Sequence, residues 1–281
     1  MDASFLRYGP AEPAGPIVLS VPHAGRDYPA ALRANLAVPA AQLTPLEDRH
    51  ADTLLLAARD DQVAFVQHRA RAWIDLNRAE DERDPRVDEG APQHPIPPSA
   101  VKLRSGLGLV PRRVGRVGEL WRRRFSAADI ADRIAADHRP YHAALAAELE
   151  RTRARFGIAV LLDVHSMPPL TEPAAAQIVI GDRFGQSAAA RFVARIEGAA
   201  APLRTALNTP YAGGHILVRH ADPAAGIHAL QLEIDRRLYL DRRFDRPGPG
   251  FTATVTMLRR VIAALSDEAF AAIERYAQAA E

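Results

Sequence analysis

Short apolar segments alternate with helical segments along this chain, and that alternation constrains its fold more than any other feature. Apolar, mostly β-branched runs with the length of buried strands occupy residues 17–21, 63–66, 73–76, 158–164, 177–180, 216–218 and 229–234. Helical spacing is found in residues 45–59, 126–155, 183–198 and 252–265. Strands that alternate with helices predict an α/β sandwich around a central sheet. No repeat or boundary divides the 281 residues, so we interpret residues 1–281 as a single domain.

Two of the helical segments carry sequence signals for their ends. Thr44 is suited to cap a helix that has Pro45 at its first position, and this helix is expected to run to residue 59. Ser126 and Asp129 have the spacing of a capping box at the start of the second segment. Pro140 is expected to kink or divide that second helix, because proline cannot donate the backbone hydrogen bond.

Residues 79–124 differ from the rest of the chain because they are rich in proline, glycine and arginine. The stretches DERDPR, PQHPIPP and SGLGLVPRR follow one another there. A disordered linker is one interpretation of such a composition. A long loop inside a compact domain is more often functional than idle, and we therefore favour an irregular but ordered active-site loop.

Composition excludes several classes of protein. The chain has no cysteine, which rules out disulfides, thiolate zinc sites and a cysteine nucleophile, so that any metal must be held by His, Asp or Glu. The net charge of +2 and the lack of interleaved aromatic residues argue against a nucleic-acid partner. No signal peptide and no apolar run of the roughly 20 residues that cross a membrane is visible. We therefore expect a soluble, cytoplasmic protein.

Polar residues stand where several predicted strands end, which is where open α/β sheets bind their ligands. His23 follows the first run, and Glu233 lies in the last. The strand in AVLLDVHS ends with Asp163, His165 and Ser166. The strand in WIDLNR ends with Asp75, Asn77 and Arg78.

Two histidines and one carboxylate form a known open zinc site that keeps a coordination position for water. His23 and His165 are the histidines of this prediction, and one divalent ion, Zn²⁺, is expected. The segment LEDRHAD offers Glu47, Asp48 and Asp52 for the third ligand, and the alternative is that these acids only complement a helix dipole. We select Asp48, which lies four residues from Asp52 and would share its helix face.

Other catalytic patterns are missing. There is no G-x-S-x-G elbow for a serine nucleophile, and His165 and Ser166 are adjacent on a strand, so they point to opposite faces. No dinucleotide fingerprint or P-loop is present, which leaves nucleotide binding unsupported. The basic run at residues 122–125 is interpreted as a solvated face.

Five segments together resemble one family. PIVLSVPHAG, WIDLNRAEDERD, LLDVHSMPP, NTPYAGGHI and LQLEIDRRLYLD, taken in this order, are similar to the N-formylglutamate amidohydrolase family over about residues 16–265. The DLNR segment is also similar to the substrate-binding strand of aspartoacylase-type enzymes. Both groups are related to zinc carboxypeptidases, and the resemblance implies their phosphorylase/hydrolase-like α/β fold with a mixed, mostly parallel sheet.

The resemblance also implies which residues form the site. It places Zn²⁺ near His23 and His165, with the acidic ligand from Glu47 or Asp48, and it places a general base at Glu233. The chain departs from the carboxypeptidase pattern in one respect. That pattern has a glutamate three residues after the first histidine, and this chain has Arg26 there.

The implied reaction is metal-dependent hydrolysis of a small-molecule substrate, the N-acyl amino acid N-formyl-L-glutamate, to formate and L-glutamate, in histidine breakdown. Glu233 would take a proton from the attacking water and pass it to the departing nitrogen, while Arg78 would stabilise the oxyanion. Because arginine pairs bidentately with carboxylates, the substrate-binding residues are expected among Asn77, Arg78, Arg104, Arg112 and Arg219 and in the loop Gly213, Gly214 and His215.

Two alternatives stay open. One is a zinc amidohydrolase or deacylase on the same scaffold that acts on another N-acyl amino acid or on a peptide stem. The other is a protein that binds a metal or ligand without chemistry, which the joint presence of His23, His165 and Glu233 disfavours. The sequence assigns no oligomeric state.

Overall fold

The computed structural model of this chain describes residues 4–92, 101–115, 117–172 and 174–279. Its strands, in chain order, are β1 (Phe5–Tyr8), β2 (Ile17–Val21), β3 (Val63–Gln67), β4 (Arg113–Val114), β5 (Gly118–Glu119), β6 (Ala159–Met167), β7 (Ile178–Gly181), β8 (Thr205–Leu207) and β9 (Ile227–Asp235). Its α-helices are α1 (Ala30–Ala34), α2 (Ala51–Ala58), α3 (Val101–Arg104), α4 (Ala127–Arg133), α5 (Arg139–Phe156), α6 (Ala190–Ala200), α7 (His215–His220) and α8 (Phe251–Ala279). Short 3-10 helices cover Ala40–Leu46, Pro223–Ala225 and Arg236–Leu238, and a π-helix covers Ile134–His138.

The chain divides into two compact units. The first contains Met1–Leu6, Pro22–Asp48 and Gln67–Ala144, and the second contains Arg7–Val21, Arg49–Val66 and Leu145–Glu281. Each unit is assembled from segments that are far apart in the sequence. The interpretation of the chain as a single domain stays a prediction.

A seven-stranded sheet has the strand order β1-β3-β2-β6-β9-β7-β8. The pairs β2–β3, β2–β6, β6–β9 and β7–β8 are parallel, and β7 pairs antiparallel with β9. The predicted α/β fold with a mixed, mostly parallel sheet is therefore confirmed. The sequence runs assigned to β2, β3, β6, β7 and β9 were predicted as strands, whereas β1 and β8 were not.

The paired strands β6 and β9, in the middle of this sheet, are buried along nearly their whole length. Their register pairs Leu161 with Ala229 and His165 with Glu233. Strands covered on both faces read as continuous apolar runs, and β6 has this character up to Leu162. Buried polar residues interrupt β6 and β9 near their carboxyl ends, and this departure from an apolar strand points to a functional role.

Helices of the second unit pack on the sheet and on one another. Both α2 and α6 pack against the long helix α8, and α2 and α8 also contact β2 and β6. Buried leucines and isoleucines, among them Leu54, Ile196 and Leu258, form this layer. Among the described residues, no helix is both long and apolar enough to cross a membrane.

The first unit contains little regular structure but has its own core. Leu32, Leu36, Leu43 and Leu120 belong to one buried apolar cluster. The predicted irregular region lies here, and its described residues form turns, the single turn of α3 and the β4–β5 ribbon. Residues 93–100, which include most of PQHPIPP, lie outside the described residues. The prediction of an irregular region is confirmed for the described part.

Two predicted strands are wrong. Residues 73–76 form turns, because the Asp75 side chain accepts the backbone N–H of Asn77 at 2.9 Å and so offers the chain a local alternative to a strand ladder. Residues 216–218 belong to α7, in which Ile216 and Leu217 are buried and Val218 is exposed. A three-residue apolar run cannot distinguish a strand from one buried helix face.

The predicted helix at residues 45–59 starts in the wrong place. Pro45 lies inside the 3-10 helix Ala40–Leu46, and α2 begins only at Ala51, after His50 has taken a left-handed conformation with φ of 60°. Asp48 thus precedes the helix, and the expected helix face shared by Asp48 and Asp52 does not exist. The helix predicted from residue 183 likewise begins later, at Ala190.

The helical segment from Ser126 is close to prediction. Ser126 and Asp129 form the expected capping box. Pro140 is the second residue of α5, and the π-helix Ile134–His138, which ends two residues before it, divides α4 from α5 as expected. Pro140 lacks an N–H and its ring crowds the carbonyl of residue 136, and a widened turn relieves both problems.

Candidate functional site

His23 lies in a turn two residues after the end of β2, and Asp48 is held next to it. The backbone N–H of Asp48 donates to the carbonyl oxygen of His23 at 2.9 Å. The Asp48 carboxylate oxygen Oδ2 lies 3.6 Å from Nδ1 of His23, and both side chains are almost fully buried. A buried imidazole nitrogen and a carboxylate oxygen therefore face each other at the end of β2.

Asp75 fixes the orientation of the His23 ring. His23 Nε2 lies 2.7 Å from Asp75 Oδ1, and because an ionised carboxylate only accepts hydrogen bonds, Nε2 carries the proton. Arg71 Nε donates to the other Asp75 oxygen at 2.8 Å. Burial alone raises the pKa of the Asp75 carboxyl, but the charges of Arg71 and Arg78 and the electrostatic interaction and hydrogen bond with His23 outweigh it, and the pKa lies well below its usual value. His23 consequently presents the Nδ1 lone pair towards Asp48.

The turn that follows Asp75 is fastened by two histidines of the long helical segment. His138 Nε2 lies 2.8 Å from the carbonyl oxygen of Arg78, and His142 Nε2 lies 2.9 Å from that of Leu76. Carbonyl oxygens only accept, so both rings donate through Nε2. The two fully buried rings hold alternate carbonyls on either side of Asn77 and so fix the path of the DLNR segment.

Arg78 is itself partly engaged by the backbone around it. Its Nε donates to the carbonyl oxygen of Leu107 and its Nη1 to that of Asn77, both at 2.8 Å. These bonds use two of the donors of a side chain that has five N–H groups. Arg78 is therefore rigidly placed and keeps donors for a ligand.

His165 stands on β6 and has a carboxylate partner on the same strand face. Its Nε2 lies 2.8 Å from Asp163 Oδ2, so Nε2 again carries the proton and Nδ1 the lone pair. Ser20 of β2, the register partner of Asp163, donates its hydroxyl to Asp163 Oδ1 at 2.6 Å. Side chains two residues apart on a strand share a face, which explains how Asp163 reaches His165.

Glu233 lies beside His165 across the β6–β9 pair. Because register partners share a face of the sheet, Glu233 and His165 lie on the same face. Gln231 donates to Glu233 Oε1 at 2.9 Å. Ser166 points to the other face, where it accepts a hydrogen bond from Arg236 at 3.1 Å. The arrangement agrees with the expectation that Ser166 does not act together with His165.

A His/Asp/His cluster fits a metal site. His23, Asp48 and His165 are all buried, each offers one ligand atom, and these three atoms lie within 4.8 Å of one another. The chemistry of the donor set also fits, since each histidine donates its other nitrogen to a carboxylate, as metal-bound histidines usually do. The competing acids are engaged or displaced. Glu47 accepts a hydrogen bond from the Tyr28 hydroxyl, and Asp52 lies in the first turn of α2.

The three arginines predicted outside DLNR differ in their surroundings. Arg104 is exposed at the end of α3, and Arg219 is exposed in the last turn of α7. Arg112 is buried, and its guanidinium is bound by Asp84, at 2.9 Å from Nε, and by Glu119. The charge of Arg112 is thus balanced inside the protein, and its role in substrate binding stays a prediction.

The loop with Gly213, Gly214 and His215 leads into α7. Gly213 has a φ of 106°, which favours glycine, and Gly214 is the residue before the helix, with His215 at its first position and partly exposed. The loop packs on the sheet at Gly181, where an added Cβ would lie 2.7 Å from the carbonyl carbon of Ala212. Gly181 is the register partner of Gln231. The loop therefore lies on the sheet face that carries Gln231 and Glu233.

Several residues of this arrangement were not assigned a role by sequence reasoning. The i, i+2 spacing of Asp163 and His165 could have revealed their pairing, and the polar residues Ser20 and Gln231 follow the same period of two. No local signal links Asp75 to His23, which are 52 positions apart. The same holds for His138 and His142, whose carbonyl partners lie 60 and 66 positions away in the sequence.

Comparison with known proteins defines first the class and then the family. The chain matches the family model described as N-formylglutamate amidohydrolase over residues 15–240, and the protein is accordingly an amidohydrolase, an enzyme that hydrolyses an amide bond. The chain belongs to the N-formylglutamate amidohydrolase family.

Individual relatives agree with this assignment. The chain is 32% identical to the N-formylglutamate deformylase of Pseudomonas putida over 80% of this chain and 82% of the relative. It is 30% identical to the N-formylglutamate deformylase of Pseudomonas aeruginosa over 81% of this chain and 83% of the relative. The crystal structure of N-formylglutamate amidohydrolase from Ralstonia eutropha JMP134 superposes with a TM-score of 0.84 at 30% identity, covering 95% of this chain and 98% of the other.

Proposed function

We propose that this protein hydrolyses the amide bond of N-formyl-L-glutamate to give formate and L-glutamate, with the help of one divalent metal ion. The proposed substrate is supported by the names of the relatives, which are N-formylglutamate deformylases and an N-formylglutamate amidohydrolase. One observation supports the proposed metal chemistry more than any other. Two buried histidines each pair through Nε2 with a buried carboxylate, and their Nδ1 atoms are thereby prepared to bind a cation.

His23, Asp48 and His165 are the proposed ligands. At 3.6 Å, the Nδ1 lone pair of His23 and the carboxylate of Asp48 repel each other unless positive charge lies between them, either as a proton on Nδ1 or as a metal ion. The absence of cysteine and the donor set of two imidazoles and one carboxylate favour Zn²⁺. A bound zinc ion would lower the pKa of water to about 7 and polarise the formyl oxygen.

Glu233 is the proposed general base. Its carboxylate accepts a hydrogen bond from Gln231, which fixes the oxygen Oε1. In the proposed reaction Glu233 removes a proton from the water that attacks the formyl carbon. It then delivers this proton to the nitrogen as the C–N bond breaks, and the amine leaves as L-glutamate.

Asn77 and Arg78 are the proposed anchor for the substrate and for the developing oxyanion. The clamps from His138 and His142 hold the backbone of this segment, which places the Arg78 guanidinium in advance. Further substrate contacts are proposed for the loops, namely from Arg104, Arg112, Gly213, Gly214, His215 and Arg219.

A substrate panel tests the proposal most directly. Formate release from N-formyl-L-glutamate is measured on the zinc-reconstituted protein, beside release of the acyl group from N-acetyl and N-succinyl analogues and from peptide stems. We expect the formyl compound to have the highest kcat/KM. A higher kcat/KM for any other acyl group would assign a different substrate to the same site, and no turnover on the whole panel would contradict an enzymatic role. The place of the reaction in histidine breakdown and the cytoplasmic location stay predictions.

A further inference from the structure

Three histidines outside the proposed zinc site form a second group of candidate metal ligands. His138, His142 and His215 each offer one ring nitrogen, and these three atoms lie within 4.8 Å of one another. The group shares no residue with the proposed zinc site. The proposed reaction gives no reason for three imidazoles to meet, so this group needs an explanation of its own.

His138 and His142 have the spacing of a metal-binding pair. His138 is the last residue of the π-helix, and His142 lies in the first turn of α5. Side chains four residues apart lie on the same face of a helix, and the two ring centroids are 4.4 Å apart. Two histidines at this spacing on one helix face are a recurrent pair of zinc ligands.

The hydrogen bonds of these two rings turn the same nitrogen into the acceptor. In both rings Nε2 donates to a backbone carbonyl oxygen, that of Arg78 at 2.8 Å and that of Leu76 at 2.9 Å. In a neutral imidazole the other nitrogen, Nδ1, then carries the lone pair. Metal-bound histidines usually donate their second nitrogen to a carboxylate, a backbone carbonyl or water. Both rings therefore already have the hydrogen bonds that metal ligands have.

His215 supplies the third imidazole from the start of α7. It is the first residue of that helix, directly after Gly214. His138 and His142 are fully buried, whereas His215 is partly exposed. An ion from the solvent can thus reach the group on the side of His215.

A carboxylate next to the group adds negative charge. Glu80 Oε1 lies 3.8 Å from His138 Nδ1, and its charge favours a cation at the three rings. Arg139 donates to both oxygens of Glu80, at 3.0 and 2.8 Å. Because this arginine already binds the carboxylate, we count only the three histidines as ligands.

We propose that His138, His142 and His215 bind a second divalent cation, Zn²⁺, in addition to the ion of the proposed reaction. Three histidines with one position left for water form a known zinc site, and imidazole ligands suit zinc better than magnesium or calcium. Since none of the three ligands is an anion, this ion should bind more weakly than the ion beside Asp48. The proposal does not depend on the identity of the substrate.

The test is a zinc titration of the whole protein after dialysis has left only tightly held metal. His215→Ala removes one proposed ligand and leaves both carbonyl contacts of the other two histidines in place. His165→Ala removes a ligand of the proposed zinc site instead. His220→Ala is the matched control, because His220 is a buried histidine of the same helix α7 and is in neither group of ligands found among the described residues.

We expect the dialysed wild type to bind one further equivalent of zinc, with a rise in its thermal unfolding midpoint because the ion binds only the folded state. His215→Ala should lose this equivalent and the rise, whereas His220→Ala should keep both. His165→Ala should keep the further equivalent although it lacks the tightly held one.

The outcomes separate this proposal from the proposed function. No further equivalent in the wild type, or its full retention in His215→Ala, would overturn the second site alone. Loss of the further equivalent in His220→Ala as well would also overturn it, because the binding would then not depend on the three named ligands. Retention of the tightly held zinc in His165→Ala would contradict the ligands of the proposed function and leave the second site standing.

Discussion

The two histidines of the candidate site each pair with a buried carboxylate, but the elements that carry the two pairs differ. His165 and its partner Asp163 lie two residues apart on β6, and Ser20 of the neighbouring strand supports the carboxylate. His23 lies in a turn, and its partner Asp75 comes from another turn 52 positions away. A rigid strand supplies one half, whereas the other half depends on turns that hold each other.

The comparison shows where each half is vulnerable. At His165, the backbone hydrogen bonds of the sheet hold β6 in place even when a polar side chain is replaced. On the turn side, the carboxylate of Asp75 is part of the backbone support, because it accepts from Arg71, from His23 and from the N–H of Asn77. Loss of a polar group should therefore cost function on the strand side and both function and stability on the turn side.

The largest effect is expected from removing either histidine. His165→Ala and His23→Ala should each abolish tight metal binding and lower turnover by about 10³-fold or more, since the proposed reaction needs the ion. Metal content after dialysis and formate release are the measurements. Ser166→Ala is the matched control, because Ser166 lies next to His165 but on the other face. Full metal retention in His165→Ala would count decisively against this ligand.

Glu233→Gln should separate metal binding from chemistry. The amide cannot accept a proton, and loss of a general base typically lowers the rate by about 10²–10⁴-fold. The metal content should stay at the wild-type level, because Glu233 is not among the proposed ligands. A near-normal kcat in this variant would remove Glu233 from the role of base.

Asp75→Asn and Asp163→Asn compare the two supports directly. Each should weaken metal binding by about 10- to 100-fold, because the histidine loses the partner that fixes its proton. Asp75→Asn should in addition lower the free energy of unfolding by about 1–3 kcal/mol, since the buried Arg71–Asp75 contact loses its charge. Metal titration and urea unfolding check both effects. Equal stability of the two variants would contradict the distinction between strand and turn.

The smallest effect concerns a buried histidine, His228, for which the described part of the chain provides no carboxylate partner. His228 lies at the start of β9, and burial together with the charge of Arg191 lowers its pKa to about 4. The unfolded chain binds a proton at about pH 6.5, so between these values the unfolded state binds more protons and stability falls as the pH falls.

His228→Asn removes this contribution. Between about pH 7.5 and about pH 5, the variant should lose about 2 kcal/mol less unfolding free energy than the wild type. Urea unfolding at the two pH values is the measurement, and identical losses in both proteins would show that His228 titrates normally.

Much of the sheet and half of the candidate site could be predicted from local pattern. Strands such as Ile17–Val21 and Ala159–Met167 are apolar over most of their length, and the polar residues that interrupt β6 and β9 marked His165 and Glu233. A strand with period two also fixes which residues share a face, and this is why Ser166 could be set aside as a partner of His165.

The rest depends on contacts that no local pattern records. Residues 73–76 looked like a strand, but they form turns. A side-chain hydrogen bond from Asn77 to Asp75 and the distant His138 and His142 hold this part of the chain. Asp48 was selected on the wrong grounds, since it was expected on a helix face and in fact precedes α2. The turn after β7 was hidden inside a predicted helix, because the hydrogen bonds between Asp182 and Asn208 join residues that are 26 positions apart.

The pairing of His165 with Glu233 has a consequence for how the length of this chain can vary. One residue inserted within β6 ahead of His165 would turn the imidazole to the opposite side of the sheet and bring its neighbour to the active side. A single-codon insertion or deletion there should therefore abolish activity even when the sheet still forms. Natural length variation and engineered insertions should be confined to the connections outside β6 and β9.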